Sequence, residues 1–205
     1  MAIVVVGGHS RNIGKTSAVA GLIARLPEFH WTAFKVTQYG HGFCTADGKP
    51  CQCQTTDSCV SVSAERELAS GTDSSRFLAA GAARSLWVRT RIGMLADAMP
   101  RIHEEIARSE NAILESNSIL EFLQPDLYLT VLDPSVTDFK DSARRFLDRA
   151  DAVLISAPDP AKAGTPADSA PDAKPQFFIA PPGYMSDELI AFVRKHLARK
   201  AALTA

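Results

Sequence analysis

The sequence predicts one α/β domain over residues 1–205, with a mostly parallel sheet between two layers of helices, a three-layer α/β/α fold. Segments with a strand pattern alternate with segments with a helical pattern, which is the order that βαβ units produce. The strand segments are continuously apolar, as expected for strands with two buried faces. A chain of 205 residues can form one such domain with a full core.

A glycine-rich turn follows the first strand segment, residues 3–6, and precedes a helical pattern over residues 18–24. This strand, turn, Gly-Lys-Thr and helix arrangement holds nucleotide phosphates, because backbone N–H groups and the helix dipole face the anion. It is typical of the P-loop NTPase fold. We predict that the following loop residues bind the nucleotide: Gly8, Ser10, Arg11, Asn12, Ile13, Gly14, Lys15, Thr16 and Ser17.

Two residues of this loop have specific expected roles. Lys15 should reach the β- and γ-phosphates and act in catalysis, and the Thr16 hydroxyl should hold Mg²⁺. The usual spacing leaves four residues between the first glycine and Gly-Lys-Thr, but the position where that glycine would stand is His9 here. The loop therefore begins at Gly8, with five intervening residues, as in P-loop proteins of the dethiobiotin synthetase type. His9 either contacts a ligand or only flanks the loop.

The middle of the chain predicts a second strand over residues 31–36 and a polar loop at about 40–61. A short helix is expected to start within residues 63–68, and a further helix within residues 76–83. Residues 85–90 have a strand pattern. Apolar residues at helical spacing predict a helix over residues 94–108, which Pro100 is expected to kink.

The remaining strands are predicted at residues 111–115, 127–132, 152–156 and 176–180. A helix is expected near residues 141–149. Residues 157–175 are rich in Pro, Ala and Asp without an apolar period, which indicates a flexible loop. Ser186 is the expected cap of a final helix over residues 187–199.

A carboxylate ends the strand at residues 111–115. The carboxyl ends of parallel strands share one sheet edge, so Glu115 is expected beside the phosphate loop, as a catalytic group within reach of Mg²⁺ or water. Lys35 ends the second strand at the same edge, where it meets a phosphate or second substrate, or is a surface lysine. Asp73 is a candidate catalytic and Mg²⁺ group and Arg76 a candidate anion contact. Alternatively, Asp73 or Ser74 only caps the next helix.

All four cysteines lie within residues 44–59. Thiolates clustered in a loop with nearby glycine suit Zn²⁺, or less readily an iron–sulfur centre. The candidate ligands are Cys44, Cys51, Cys53, Cys59 and His41, with Cys59 and His41 both open as the fourth ligand. The alternative is a set of free or redox-labile thiols. In a reducing cytoplasm, structural disulfides are disfavoured.

Charge and hydropathy indicate which partners are not expected. The formal net charge is −1, so nothing favours nucleic acid or a membrane surface as a partner. No apolar stretch is long enough to span a bilayer. The first strand begins so close to Met1 that no signal peptide is expected, and we expect a cytoplasmic protein.

With these motifs, the chain resembles the molybdopterin-guanine dinucleotide biosynthesis adaptor protein B family. The resemblance lies in residues 6–17, 34–42, 72–82 and 113–116. It implies GTP binding with Mg²⁺, weak hydrolysis, and assistance to molybdenum cofactor maturation with a cofactor-biosynthesis protein or molybdoenzyme, often as a homodimer. It also implies functional roles for Lys15, Thr16, Glu115, Asp73, Lys35 and Arg76.

Some features depart from that family's pattern. Ser116 and Asn117 follow the glutamate in place of a glycine, and the cysteine segment belongs to neither related family. The Asn-Lys-x-Asp box that reads guanine is absent, so GTP over ATP depends on the resemblance. Two alternatives therefore remain: an ATP-dependent ligase or carboxylase resembling dethiobiotin synthetase, with Lys35 facing the substrate, and a non-catalytic adaptor controlled by nucleotide.

Overall fold

A single eight-stranded sheet runs through the structure, a computed structural model that describes residues 1–40, 60–157 and 174–203. Its strands are β1 (Ile3–Gly8), β2 (Trp31–Tyr39), β3 (Val60–Ala64), β4 (Arg84–Arg91), β5 (Asn111–Glu115), β6 (Leu127–Leu132), β7 (Ala152–Ser156) and β8 (Gln176–Ile179). The strand order is β3-β4-β2-β5-β1-β6-β7-β8. All neighbours are parallel except β3, which runs antiparallel to β4.

Helices cover both faces of this sheet. They are α1 (Lys15–Arg25), α2 (Asp73–Ala79), α3 (Leu95–Ala107), α4 (Asp141–Phe146) and α5 (Asp187–Leu203). Neighbouring residues of β1 pack in different cores: Val4 lies with residues of α1 and α5, and Val5 lies with residues of α3. The strands are therefore buried on both faces, which explains their continuous apolar pattern and confirms the three-layer α/β/α prediction.

The prediction of a helix that starts within residues 63–68 is wrong, because Val60–Ala64 forms strand β3. The segment Val-Ser-Val-Ser has the period of two that suits an edge strand, and Val60 pairs with Thr90 of β4. Helix α2 starts earlier than expected, and its cap is Thr72, whose hydroxyl accepts a hydrogen bond from the Ser75 N–H at 3.1 Å. Helix α3 continues through Pro100.

Two predicted loops fall largely outside the described residues. The cysteine segment with His41 lies within residues 41–59, and most of the Pro/Ala/Asp-rich segment lies within residues 158–173. Within the part of the chain that the structure describes, no helix is long and apolar enough to cross a membrane.

Candidate functional site

A cleft of about 740 Å³ lies at the carboxyl edge of the sheet. Strand register places its main side chains there, because Glu115 of β5 pairs with Val6 of β1 on one side and with Lys35 of β2 on the other. The loop between β1 and α1 lines the cleft from Arg11 to Ser17. The strand ends expected to share one edge therefore do so.

The phosphate loop joins α1 through a backbone conformation that glycine adopts readily. Gly14 has φ 94° at the position before the helix, where a side chain would be strained. A Cβ on Gly8 would lie 2.9 Å from the Val131 carbonyl oxygen, so the loop packs closely on β6. Asn12 also has a positive φ, 55°.

His9 flanks the loop and faces away from the cleft. Its side chain is 2 % exposed, and its Nε2 lies 3.1 Å from the Val136 carbonyl oxygen. Its ring packs 5.1 Å from that of Phe139, while the Lys140 N–H donates to the His9 carbonyl at 2.9 Å. Ser10 is likewise buried and donates to Asp138 at 2.8 Å. The extra loop residue therefore anchors the loop to the segment after β6.

Lys15 points along the inside of the loop, and its Nζ donates to the Ser10 carbonyl. Burial lowers the pKa of Lys15 from 10.5 to about 8, against the opposing attraction of Glu115. The neighbouring ammonium groups of Lys140 and Lys35 lower it further. An anion at this point would favour the charged form of Lys15.

Glu115 is the buried centre of the charged cluster, with 3 % of its surface exposed. Its Oε2 accepts a hydrogen bond from the Thr16 hydroxyl at 2.9 Å, and its Oε1 lies 2.7 Å from Lys35 Nζ. The same Nζ lies 2.5 Å from Asp73 Oδ2. Burial lowers the pKa of Lys35, but Glu115 and Asp73 outweigh it, so that pKa is raised. Four predicted site residues thus form one network.

Helix α2 brings Asp73 to this network, and Glu65 fixes the start of that helix. Glu65 Oε2 accepts hydrogen bonds from the hydroxyls of Thr72 at 2.8 Å and Ser74 at 2.9 Å. The Glu67 N–H and these hydroxyls lower the pKa of Glu65 to about 2. Asp73 is therefore the first residue of the helix rather than its cap, and its carboxylate is available to Lys35.

Arg76 of the same helix also lines the cleft and donates to Ser17 Oγ at 2.9 Å. This contact ties α2 to the first turn of α1. Arg76 is an exposed residue. The placement suits the anion contact expected from the sequence.

The site also contains three residues that were not among the predicted ligands or catalytic groups. The Asn117 side chain clamps Gly8, accepting from its N–H and donating to its carbonyl, both at 2.8 Å. Lys140 lines the cleft, where burial and then Arg11 lower its pKa. Tyr184 lines the cleft beside the phosphate loop, where a Cβ on Gly14 would lie 3.2 Å from its ring. Asn117 lies just after the end of β5, and the sequence also indicated residues 138–140, after β6, as a candidate border of the crevice. Tyr184, in the loop between β8 and α5, carried no such signal.

The cleft is cationic. Its charged lining residues are Arg11, Lys15, Lys35, Arg76 and Lys140 against Asp73, Glu115 and Asp141. A cationic cleft at a helix N-terminus with backbone N–H groups suits a polyphosphate.

The acidic groups suit an oxygen-preferring divalent ion. Thr16 supplies a hydroxyl, and Glu115 and Asp73 supply carboxylates around one point, which are the ligands that Mg²⁺ uses together with substrate phosphates. Over the described residues, no group of three or more His, Cys, Asp or Glu could hold a metal ion by itself. The candidate zinc or iron–sulfur ligands, Cys44, Cys51, Cys53, Cys59 and His41, lie outside those residues.

Solved structures with a similar fold are P-loop NTPases. The "apo" form of LpxK from Aquifex aeolicus in complex with ATP is 17 % identical, with a TM-score of 0.50 over 87 % of this chain and 53 % of that chain. HypB from Helicobacter pylori in complex with nickel is 14 % identical, with a TM-score of 0.51 over 98 % of this chain and 87 % of that chain. Bacillus subtilis MobB is 13 % identical, with a TM-score of 0.43 over 96 % of this chain and 98 % of that chain.

This chain spans about half the length of LpxK, 53 %. No protein-family model and no curated protein matches the sequence. The likeness to LpxK and HypB, at TM-scores of 0.50 and 0.51, thus shows the fold, and it confirms the P-loop NTPase fold predicted from the sequence.

Proposed function

We propose that this protein is a Mg²⁺-dependent P-loop protein that binds GTP in preference to ATP, hydrolyses it weakly, and acts in molybdenum cofactor or metal-centre assembly. One observation carries the nucleotide part of the proposal. The phosphate loop, Thr16, Glu115, Lys35 and Asp73 meet in one cationic cleft although they come from four separate elements.

The chain's own groups would act mainly by charge. The loop N–H groups and Lys15 would bind the phosphates and stabilise charge that develops on them during transfer. Thr16 and Glu115 would hold Mg²⁺, with Asp73 acting directly or through water. Mg²⁺ would neutralise the β- and γ-phosphate oxygens. Glu115, which accepts a hydrogen bond from the Thr16 hydroxyl at 2.9 Å, would also orient a water molecule.

The sequence resemblance supports the assembly role, together with the described strand ends on either side of residues 41–59. Tyr39, two residues before position 41, pairs with Arg91, and Val60, directly after position 59, pairs with Thr90. Both ends therefore join the sheet at its cleft edge. We propose that the segment holds Zn²⁺, or alternatively an iron–sulfur centre, and that the protein works in the cytoplasm as a homodimer with a cofactor-biosynthesis protein or molybdoenzyme.

The decisive experiment is a parallel titration with GTP and ATP by calorimetry, with and without Mg²⁺. The proposal expects binding that requires Mg²⁺ for full affinity and is tighter for GTP. Lys15→Met should weaken binding, whereas Lys195→Met on the exposed side of α5 is the matched control and should not. Equal affinity of Lys15→Met and the unchanged chain would refute the phosphate-loop assignment.

A second candidate function is an ATP-dependent ligase or carboxylase. The observation that favours it is the extent of the cleft, which continues past the phosphate loop along the end of β2, where Thr37 and Gln38 line it beside Ile92. Lys35 would then face a second substrate as well. ATP turnover that depends on a small carboxylic or amine substrate would support this function, and tight binding without turnover would support a nucleotide-controlled adaptor.

A further inference from the structure

Lys35 holds the position between the two carboxylates of the site. Its Nζ lies 2.7 Å from Glu115 Oε1 and 2.5 Å from Asp73 Oδ2, and its side chain is only 16 % exposed. The other oxygen of Glu115 is taken by the Thr16 hydroxyl at 2.9 Å. Both oxygens of the buried carboxylate are therefore engaged by groups of the chain itself.

The charges at this point already cancel. The ammonium groups of Lys15 and Lys35 balance the carboxylates of Glu115 and Asp73, and the buried Nζ of Lys15 lies on the loop side of the same cluster. A divalent ion alone would add two uncompensated charges to a cleft that Arg11, Arg76 and Lys140 already make cationic. A nucleoside triphosphate brings about four negative charges, so ion and phosphates together restore the balance.

We propose that Lys35 is a built-in counter-ion that keeps divalent metal out of this site until a nucleotide is bound. The proposal rests on the proposed Mg²⁺-dependent nucleotide binding and adds its regulation. In the nucleotide-free protein, the ammonium group bridges Glu115 and Asp73. When phosphates occupy the loop, Lys35 turns toward them and frees the carboxylates. Metal binding is therefore conditional on nucleotide.

A different result is expected if Lys35 only forms a structural salt bridge. In that case, removing the Lys35 charge would lower stability but would not create affinity for a cation. Under the counter-ion role, removing the charge leaves two carboxylates around one point with nothing between them, which is an oxygen site for a divalent ion. Metal affinity without nucleotide therefore separates the two roles.

The test measures free Mn²⁺ by electron paramagnetic resonance in the nucleotide-free full chain at neutral pH. Mn²⁺ prefers oxygen ligands, so the thiols of residues 44–59 contribute little to its uptake. The unchanged chain and Lys35→Arg should show no tight Mn²⁺ site, because both carry the counter-charge. Lys35→Met should bind Mn²⁺ at least about tenfold more tightly, since a repelling charge is gone. Adding Asp73→Asn to Lys35→Met should abolish that gain.

Lys35→Gln is the second variant if Lys35→Met does not fold, as judged by far-ultraviolet circular dichroism; it keeps a donor toward the carboxylates but no charge, and the same gain is expected. Tight Mn²⁺ binding by the unchanged chain, or equal affinity in the unchanged and charge-free chains, would overturn the proposal. No arm contains nucleotide. Failure of nucleotide binding is therefore seen separately, in the GTP and ATP titrations.

Discussion

Replacing Lys15 with methionine should stabilise the nucleotide-free fold while weakening nucleotide binding. Methionine keeps the length of the side chain but removes a charge whose loss of hydration on burial outweighs the attraction of Glu115 and Asp73. A pKa of about 8 in place of 10.5 corresponds to about 3 kcal/mol of unfavourable charge burial, at about 1.4 kcal/mol per pH unit. Lost hydrogen bonding to Ser10 offsets about 1 kcal/mol of this, and solvent screening reduces it further.

The net expectation is a gain of about 1–2 kcal/mol in the free energy of unfolding near neutral pH, or about 3–6 °C in melting temperature for a chain of this size. The gain must depend on pH. Because the folded-state pKa of Lys15 is lowered, the unfolded chain holds the proton between about pH 8 and 10.5 after the folded chain has released it. The unchanged protein therefore gains stability across that range, and the difference from Lys15→Met disappears.

Nucleotide affinity should move in the opposite direction. One charge-assisted hydrogen bond to a phosphate contributes about 1.5–3 kcal/mol, so Lys15→Met should bind about 10- to 150-fold more weakly. Thermal unfolding without nucleotide at pH 7 and pH 10, and calorimetric titration with GTP and ATP, measure the two effects. A lower melting temperature for Lys15→Met at pH 7, or unchanged affinity, would refute the reasoning.

Three further predictions concern other parts of the chain. Glu65→Gln should lower the free energy of unfolding by about 1–2 kcal/mol at pH 6. This difference should vanish as the pH falls from about 4.5 through 2, because the carboxylate of the folded protein then takes up its proton. Denaturant unfolding at several pH values measures the difference. Gly7→Ala should lower the free energy of unfolding by about 1–3 kcal/mol and weaken nucleotide binding, because its Cβ would lie 2.2 Å from Asn117 Oδ1. Gly183→Ala, with open space around it, is the control. Equal melting temperatures for the two variants would contradict the packing argument. Protein purified without chelator should contain about one zinc or iron–sulfur centre per chain by elemental analysis. If the protein stays free of metal even after reconstitution with zinc, the cysteines are ordinary thiols.

Much of the fold was predictable because its strands bury both faces. The bounds of β5, β6 and β7 agree with the predicted ranges. Short continuous apolar runs between turn segments are typical of buried parallel strands in an α/β chain. Strand β3 was missed because its alternating Val and Ser pattern is short and lies just after the cysteine segment. Its identity as a strand depends on pairing with β4, which local sequence does not contain.

The sequence by itself determined the phosphate loop, because one contiguous run of residues between β1 and α1 builds its turn, its N–H groups and the positions of Lys15 and Thr16. Tertiary structure alone decided what surrounds them. Strand order and register set Glu115 beside Lys35, and helix α2 adds Asp73 to the same ammonium group. Residues distant in sequence become neighbours only when the sheet forms. A charge network across three elements is therefore a property of packing, whereas the loop is a property of local backbone.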